Sequence, residues 1–391
     1  MRPRADARTD ILPSPLSLAE AARRPPRAPR PPRALAWLLP LMRLRWYAAG
    51  LLLLAAARLW LGGGGIWRAA LLGWLLLHYA AYRAWHHSRH AHEAGLLRRI
   101  CEPGGEEIAS FYRREKKKER EIANPLPDLK ADFGGRRVAE VDPAHHLRKR
   151  LARRWLKEVA PPGARAADVG CLAGEVSAEH VRAGHEVFLF DLDTLSLRRV
   201  TETTRRPAVQ ADAAQLPVRP GAFELITFLE VAEHLADPAR AMREIAAALA
   251  PGGRLIASTD NTGCLLAIHL LNPIVALERV AGAYFPAVLP PRSLLKEDRL
   301  TGKVYPHASF DSAQVRALAE GAGLRLLWLR SYYFLPGFHR IVARLFPACT
   351  EEQYARFALP VEVLFRRIPL LARLGTHWVF ACEKPRGEGG A

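Results

Sequence analysis

The sequence has few cysteines, and no two of them are close together along the chain. Five cysteines are scattered along 391 residues without a Cys-x-x-Cys motif. This spacing excludes a disulfide framework and a structural zinc site, and it favours a reducing compartment that faces the cytosol. Internal repeats are also absent. The chain exceeds the usual length of one domain and half of its residues are hydrophobic, so we expect one full core beside smaller elements.

Acidic residues are in deficit, which leaves a formal net charge of +18. Such a charge suggests an anionic partner, but much of it lies in residues 1–33, which are rich in arginine and proline. This composition predicts a disordered basic tail. No RNA-binding module is recognisable elsewhere, so a nucleic-acid partner is not expected.

Residues 34–92 contain two apolar runs, Trp46 to Leu61 and Ile66 to Trp85, separated by Gly62 to Gly65. They predict a helical hairpin whose runs are near the length of about 20 residues that a bilayer requires. Arginines flank the pair, so the positive-inside rule places both ends and the catalytic domain in the cytoplasm. We therefore expect a membrane anchor. A re-entrant or interfacial hairpin, a buried helical pair and a cleavable signal peptide are the alternatives.

Residues 93–150 predict a polar helical linker in which charges of both signs are interleaved. Residues 151–391 form the next predicted domain, and from Arg165 onward its short apolar runs alternate with amphipathic windows. This alternation predicts an α/β domain with a parallel sheet between helices.

A turn of small residues follows the first predicted strand of this domain. The run from Ala166 to Glu175 contains Gly170 and Gly174 and leads into a predicted helix, Val176 to Ala183. Glycines let the backbone approach a ligand closely. By itself the turn fits cofactor binding and ordinary strand–helix packing about equally.

Acids follow the next strands. Asp191 ends the second predicted strand, where a carboxylate can accept both hydroxyls of a ribose. Asp212 and Ala213 follow the third. The fourth, residues 223–228, leads into Leu229-Glu230-Val231-Ala232-Glu233-His234-Leu235-Ala236-Asp237-Pro238.

This series of motifs resembles the class I S-adenosylmethionine-dependent methyltransferases. The Glu-x-x-Glu-His-x-x-Asp-Pro spacing of residues 230–238 is similar to that of the ubiquinone-biosynthesis type of O-methyltransferase and related small-molecule enzymes. The resemblance covers residues 165–334, and residues 377–384 resemble the last, antiparallel strand of that fold. It implies a Rossmann-like, doubly wound, seven-stranded α/β sheet beside the apolar hairpin, with S-adenosyl-L-methionine as the cofactor.

The resemblance also implies roles for individual residues. It places the methionine portion of the cofactor against Asp168, Gly170, Cys171 and Gly174, the ribose on Asp191, the adenine near Asp212 and Ala213, and the sulfonium between Leu229 and Glu230. No metal site is expected. Leu172 stands where the family usually has glycine, and a branched side chain there could crowd the cofactor.

Methyl transfer needs a base only if the acceptor must lose a proton. His234 is the candidate, because it follows the carboxyl end of the fourth strand, where open α/β sheets bind ligands. A packing role for this histidine is about as plausible.

Insertions at residues 261–309 and 335–376 predict apolar lids, which suit a small or lipid-like acceptor or a membrane surface equally well. His307 could touch substrate, with a structural role as the default.

Three other functions stay open. An inactive scaffold or cofactor sensor is motivated by Leu172. A membrane metal oxidase is suggested by His86, His87, His90 and His92, but no further histidine box accompanies them. An RNA methyltransferase is supported only by the net charge.

Overall fold

A computed structural model describes residues 44–61, 64–100, 137–138, 144–172, 174–235, 237–290, 295–297, 304–336 and 338–386. The predicted basic tail and most of the polar linker lie outside these residues. Of the histidine cluster, the side chains of His90 and His92 also lie outside them.

A seven-stranded sheet forms the centre of the molecule. Its order is β3-β2-β1-β4-β5-β9-β8, with β1 to β5 parallel and with β9 antiparallel to both neighbours. This order confirms the predicted Rossmann-like class I sheet. The strands are β1 (Arg165–Val169), β2 (Glu186–Asp191), β3 (Ala208–Gln210), β4 (Phe223–Leu229), β5 (Leu249–Asp260), β8 (Arg325–Tyr332) and β9 (His377–Glu383), while β6 (Leu295–Glu297) and β7 (Val304–Pro306) form a separate pair.

Helices cover both faces of this sheet. The described α-helices are α1 (Leu44–Leu61), α2 (Gly64–Ile100), α3 (Ala144–Val159), α4 (Glu175–Arg182), α5 (Thr194–Thr204), α6 (Pro238–Ala248), α7 (Pro273–Tyr284), α8 (Ser312–Gly321), α9 (Phe338–Leu345) and α10 (Glu351–Arg367). Start signals in the sequence explain several of these boundaries. At α6, for example, the Asp237 carboxylate accepts the Arg240 N–H at 2.9 Å, and Pro238 occupies the first turn.

The core has two layers because successive residues of a strand point to opposite faces. Ala166 of β1 packs with Leu147, Leu151 and Trp155 of α3 on one face. Ala167 packs on the other face, in the layer that contains α6 and α8. Burial on both faces explains why these strands are apolar runs rather than alternating patterns. Leu147 of α3 lies within the region predicted to be a linker, residues 93–150, and it is fully buried.

The two N-terminal helices pack against each other. Tyr47 of α1 contacts His78 of α2 edge to face at 4.2 Å between ring centroids, and Gly50 lies against Trp74. Among the described residues, none of the helices combines the length and the apolarity that crossing a membrane requires. The prediction of a spanning hairpin is therefore not supported.

Polar contacts join these helices to the first predicted lid, which contains α7. The Asn272 side chain, which caps α7, donates to the Leu75 carbonyl at 3.0 Å. Arg83 of α2 pairs with Glu278 of α7, and Arg279 donates to the Tyr82 hydroxyl. The apolar region and the first lid therefore form one packed unit, although they are far apart in sequence.

Candidate active site

The loop after β1 is held close to its neighbours by two glycines with positive φ. Gly170 has φ of 76°, and a Cβ there would lie 2.3 Å from Cγ2 of Val231, in the loop after β4. Gly174 has the same φ, and a Cβ there would lie 2.2 Å from Cγ2 of Val200 in α5. Only glycine meets both the conformation and the space at these positions. The loop after β1 therefore lies directly beside the loop after β4.

Leu172 sits at the tip of this loop. Its φ is 37° and its side chain is 44% exposed, so it points away from the packed turn. Its backbone N–H donates to Oδ2 of Asp191 at 2.8 Å. This bond brings the predicted methionine site and the predicted ribose site together.

The ends of β2 and β3 continue the same edge of the sheet. Oδ1 of Asp191 accepts the Asp193 N–H at 2.9 Å, and the Asp191 carbonyl accepts the Ala211 N–H at 3.0 Å. Asp212 then accepts the Ala214 N–H at 2.8 Å. The predicted ribose and adenine residues therefore lie in the turns that follow two neighbouring strands, β2 and β3.

Asp168 and Cys171 are buried inside this edge. The Asp168 carboxylate accepts hydroxyl hydrogen bonds from Ser177 at 2.5 Å and from Thr227 at 2.8 Å. Burial raises the pKa of Asp168 to about 6. Burial also raises the pKa of the Cys171 thiol, which keeps it protonated. Asp168 ties α4 to β1 and β4, and its direct contact with a cofactor stays a prediction.

A second group of polar side chains gathers at the ends of β4 and β5. We call it the acid–histidine network; it comprises Glu230, His234, Asp260, His307 and His377. Glu230 has φ of 57°, a conformation that costs on the order of 1–3 kcal/mol and clusters at functional sites. Its Oε1 accepts hydroxyl hydrogen bonds from Ser258 at 2.6 Å and Tyr332 at 2.9 Å. Its Oε2 lies 2.8 Å from Nδ1 of His377.

Asp260, the last residue of β5, is the centre of this network. One carboxylate oxygen lies 3.0 Å from Nδ1 of His377, and the other lies 2.6 Å from Nε2 of His307. Nδ1 of His307 in turn lies 3.3 Å from Nδ1 of His234. The candidate base is therefore connected to a carboxylate through a second histidine.

Burial and charge act in opposite directions on these groups. Burial alone would raise the pKa of Glu230 and Asp260, but His377, with Arg148 beside Glu230 and His307 beside Asp260, lowers both. Burial opposes protonation of His377, but the two carboxylates raise its pKa. Glu233 is also buried, and burial together with the carboxylates of Glu230 and Asp260 raises its pKa well above the ordinary value, against a smaller lowering by His377. The surroundings therefore favour the charged form of Glu230 and the neutral form of Glu233.

Sequence patterns identified only part of this network. They pointed to Glu230, His234 and His307 but not to Asp260 or His377. An acid as the last residue of an apolar strand was the available signal for Asp260, the same signal that identified Asp191. His377 carried no comparable signal, because its partners are far away in sequence.

Three members of the network could also hold a metal ion. Ligand atoms of Glu230, Asp260 and His377 all lie within 4.8 Å of one another. Carboxylate oxygens and an imidazole nitrogen form a suitable donor set for a divalent cation. This cluster was not foreseen when the sequence analysis expected no metal site.

Comparison with known proteins agrees with this geometry. Residues 167–257 match the profile of a family described as a methyltransferase domain. A ubiquinone biosynthesis O-methyltransferase of Ralstonia nicotianae is 30% identical over 206 residues, which cover 51% of this chain and 78% of the relative. The corresponding Bordetella pertussis protein is 32% identical over 195 residues, which cover 48% of this chain and 75% of the relative.

The chain belongs to the class I S-adenosylmethionine-dependent methyltransferases. It is thus an enzyme of the transferase class with S-adenosylmethionine as its cofactor. A solved structure of the Burkholderia thailandensis 1,6-didemethyltoxoflavin-N1-methyltransferase with bound S-adenosylhomocysteine is 15% identical. The superposition covers 71% of this chain and 88% of the Burkholderia chain, with a TM-score of 0.42. The profile match of this methyltransferase ends at residue 257, before Asp260, His307 and His377.

Proposed function

We propose that this methyltransferase transfers a methyl group from S-adenosylmethionine to a hydroxyl oxygen of an apolar small molecule at a membrane surface. The observation that carries the proposal is the acid–histidine network. It lies at the carboxyl ends of β4 and β5, beside the loop after β1, and insertions with apolar surfaces follow it. Methyl transfer to a hydroxyl needs both an aligned acceptor and a group that removes its proton.

The proposed cofactor placement follows the sequence prediction. The methionine portion lies along the loop from Asp168 to Gly174, the ribose on Asp191, and the adenine near Asp212 and Ala213. Leu229 and Glu230 flank the sulfonium. Contact between the loop after β1 and Val231 supports this arrangement, because it brings the two segments that would flank the methyl donor together.

In the proposed reaction the acceptor oxygen attacks the methyl carbon. The bond from that carbon to the sulfonium breaks, S-adenosylhomocysteine leaves, and His234 takes the hydroxyl proton. The sulfonium is already a strong electrophile, so the protein mainly aligns the reactants and accepts the proton. The His234 side chain is 26% exposed and can reach a bound acceptor.

The acceptor class is inferred from the lids and from the relatives. The relatives are named for ubiquinone biosynthesis. Both insertions carry large apolar side chains with open surface, such as Leu277 (69% exposed), Phe285 (68%) and Phe346 (64%). A phenolic hydroxyl on an apolar molecule fits these surfaces and the histidine base.

A membrane surface is the proposed location, with the catalytic domain facing the cytoplasm. The apolar side chains at the adjoining ends of α1 and α2 are almost fully exposed, with Leu59 at 88%, Trp60 at 90% and Ile66 at 80%. Such an apolar end near Arg58 and Arg68 suits an interfacial hairpin that dips into an anionic leaflet. Because the first lid packs on α2, binding of this surface would hold the lid near the membrane.

The reaction is tested by incubating the full chain with S-adenosylmethionine and an alkyl-substituted catechol, and by identifying a methyl ether with mass spectrometry. The proposal predicts the O-methyl product. A folded protein that binds S-adenosylmethionine but methylates only nitrogen or carbon acceptors would contradict it.

The location is tested by sedimentation with vesicles of phosphatidylglycerol and phosphatidylcholine. Replacing Trp60 and Ile66 with serine should reduce binding at least about tenfold, because burying each side chain is worth about 1.5–3 kcal/mol. Val209→Ser is the matched control, since Val209 is 40% exposed on the edge strand β3, away from the hairpin. Equal binding by all three proteins would refute a membrane role for α1 and α2.

A further inference from the structure

The hydrogen bonds of the acid–histidine network restrict the protonation state of its histidines. Oδ2 of Asp260 lies 2.6 Å from Nε2 of His307, and a carboxylate can only accept. Nε2 of His307 therefore carries the proton. In a neutral imidazole the other nitrogen, Nδ1, then accepts.

The contact between His307 and His234 relates the tautomer of the candidate base, His234, to that of His307. Nδ1 of His307 and Nδ1 of His234 are 3.3 Å apart, so one of them must donate. With His307 neutral, its Nδ1 accepts and Nδ1 of His234 donates. Nε2 of His234 then keeps its lone pair, and this is the nitrogen that can take a proton.

We propose that Asp260 and His307 are positioning residues that fix His234 in the tautomer that acts as a base through Nε2. This inference rests on the proposed function, because it deepens the role of His234 in methyl transfer to a hydroxyl. When Nε2 takes the acceptor proton, the positive charge on His234 is stabilised through His307 by the Asp260 carboxylate.

Other charged groups around the network fit this arrangement. Nε2 of His234 lies 3.8 Å from Oε1 of Glu233, whose pKa is raised by burial and by the neighbouring carboxylates. On the opposite side of Asp260, His377 contacts the oxygen that His307 does not use. His377 also pairs with Glu230, which Arg148 and Tyr332 approach. His377 and His307 therefore contact different oxygens of Asp260, and the oxygen that faces His307 supports the pair formed by His307 and His234.

The tautomers can be measured without turnover. Nitrogen NMR of the full chain with labelled histidine and saturating S-adenosylmethionine should show a protonated Nδ1 for His234 and a protonated Nε2 for His307. In Asp260→Asn and His307→Asn, the His234 signal should lose this single-tautomer pattern. A protonated Nε2 on neutral His234 in the unaltered protein would overturn the proposal.

Activity provides a second readout that a structural role would not produce. An alkyl catechol must lose a proton during transfer, whereas its nitro derivative is largely ionised near neutral pH. In His307→Asn, kcat/KM should fall at least about tenfold more for the alkyl catechol than for the nitro compound, since general-base catalysis is worth about 100- to 10,000-fold. Equal losses with both acceptors would overturn the proposal.

His377→Asn is the matched comparison, because it removes the other histidine on Asp260 but leaves the connection to His234. Its losses should be equal for the two acceptors, and a selective loss there would also contradict the proposal. If the unaltered protein methylates neither catechol, the proposed function fails, while the NMR measurement still decides the tautomers.

Discussion

The two halves of the active site differ in how their residues are connected. In the proposed cofactor half, formed by the ends of β1, β2 and β3, the bond between Leu172 and Asp191 joins residues 19 positions apart. In the acceptor half, formed by the acid–histidine network, Tyr332 and Glu230 are 102 positions apart. The first half uses glycines and backbone amides, and the second uses charged side chains.

This difference indicates how each half responds to change. The cofactor half depends on backbone conformation and space, so added side-chain atoms should disturb it most. The acceptor half depends on the balance of charges, so neutralising one partner should disturb it most.

The largest effect is expected from Glu230→Gln. The substitution removes the carboxylate that pairs with Arg148 and that shares His377 with Asp260, and breaking a buried pair costs about 3–5 kcal/mol. Glu233→Gln is the control, because burial and the neighbouring carboxylates raise the pKa of Glu233, which accepts from Thr259, and it should cost less than about 1 kcal/mol. Denaturant unfolding of both variants measures the difference, and equal losses would contradict the assigned charge states.

Gly174→Ala should come next. The added Cβ meets Val200 at 2.2 Å and the residue keeps a left-handed conformation, so we expect a loss of about 2–4 kcal/mol. Gly163→Ala is the control, since its φ is 66° but nothing lies within 4 Å of the added atom. That variant should lose about 1 kcal/mol, from conformation alone. Thermal unfolding tests this, and similar losses would show that the close approach carries no energy.

Asp191→Ala should weaken S-adenosylmethionine binding about 100-fold, because hydrogen bonds to a charged group are worth about 1.5–3 kcal/mol. Calorimetric titration measures the affinity. Glu202→Ala, an exposed acid on α5, removes the same charge and should leave it unchanged. Unchanged affinity in Asp191→Ala would contradict the proposed ribose contact.

The smallest effect concerns pH. The pKa of Asp168 is raised to about 6 in the folded protein, so ionising this acid costs stability as pH rises from about 4 to about 6. Between pH 5 and pH 7 this group should remove about 1 kcal/mol of unfolding free energy. Asp168→Asn should lack that contribution. An unchanged pH slope in the variant would show that Asp168 titrates normally.

Local patterns predicted the α/β alternation and the strand–turn–helix units of the proposed cofactor half, and the family resemblance implied the class I sheet. The two glycines and Asp191 belong to short strand–turn–helix units, whose geometry depends on neighbours in sequence. Helix limits moved slightly, with α4 at Glu175–Arg182 rather than Val176 to Ala183. Nothing local predicted that His377 would meet Asp260, since their pairing follows from the antiparallel register of β5 and β9.

The sequence by itself determined the family, the cofactor and the α/β alternation, because these follow from contiguous motifs and from the period of the apolar residues. Only the tertiary structure decided that Asp260 and His307 support His234, and that α1 and α2 pack on the first lid rather than stand apart. The physical reason is distance along the chain. Hydrogen bonds and ion pairs act over a few ångströms, and only the folded sheet brings residues from different strands and insertions within that range.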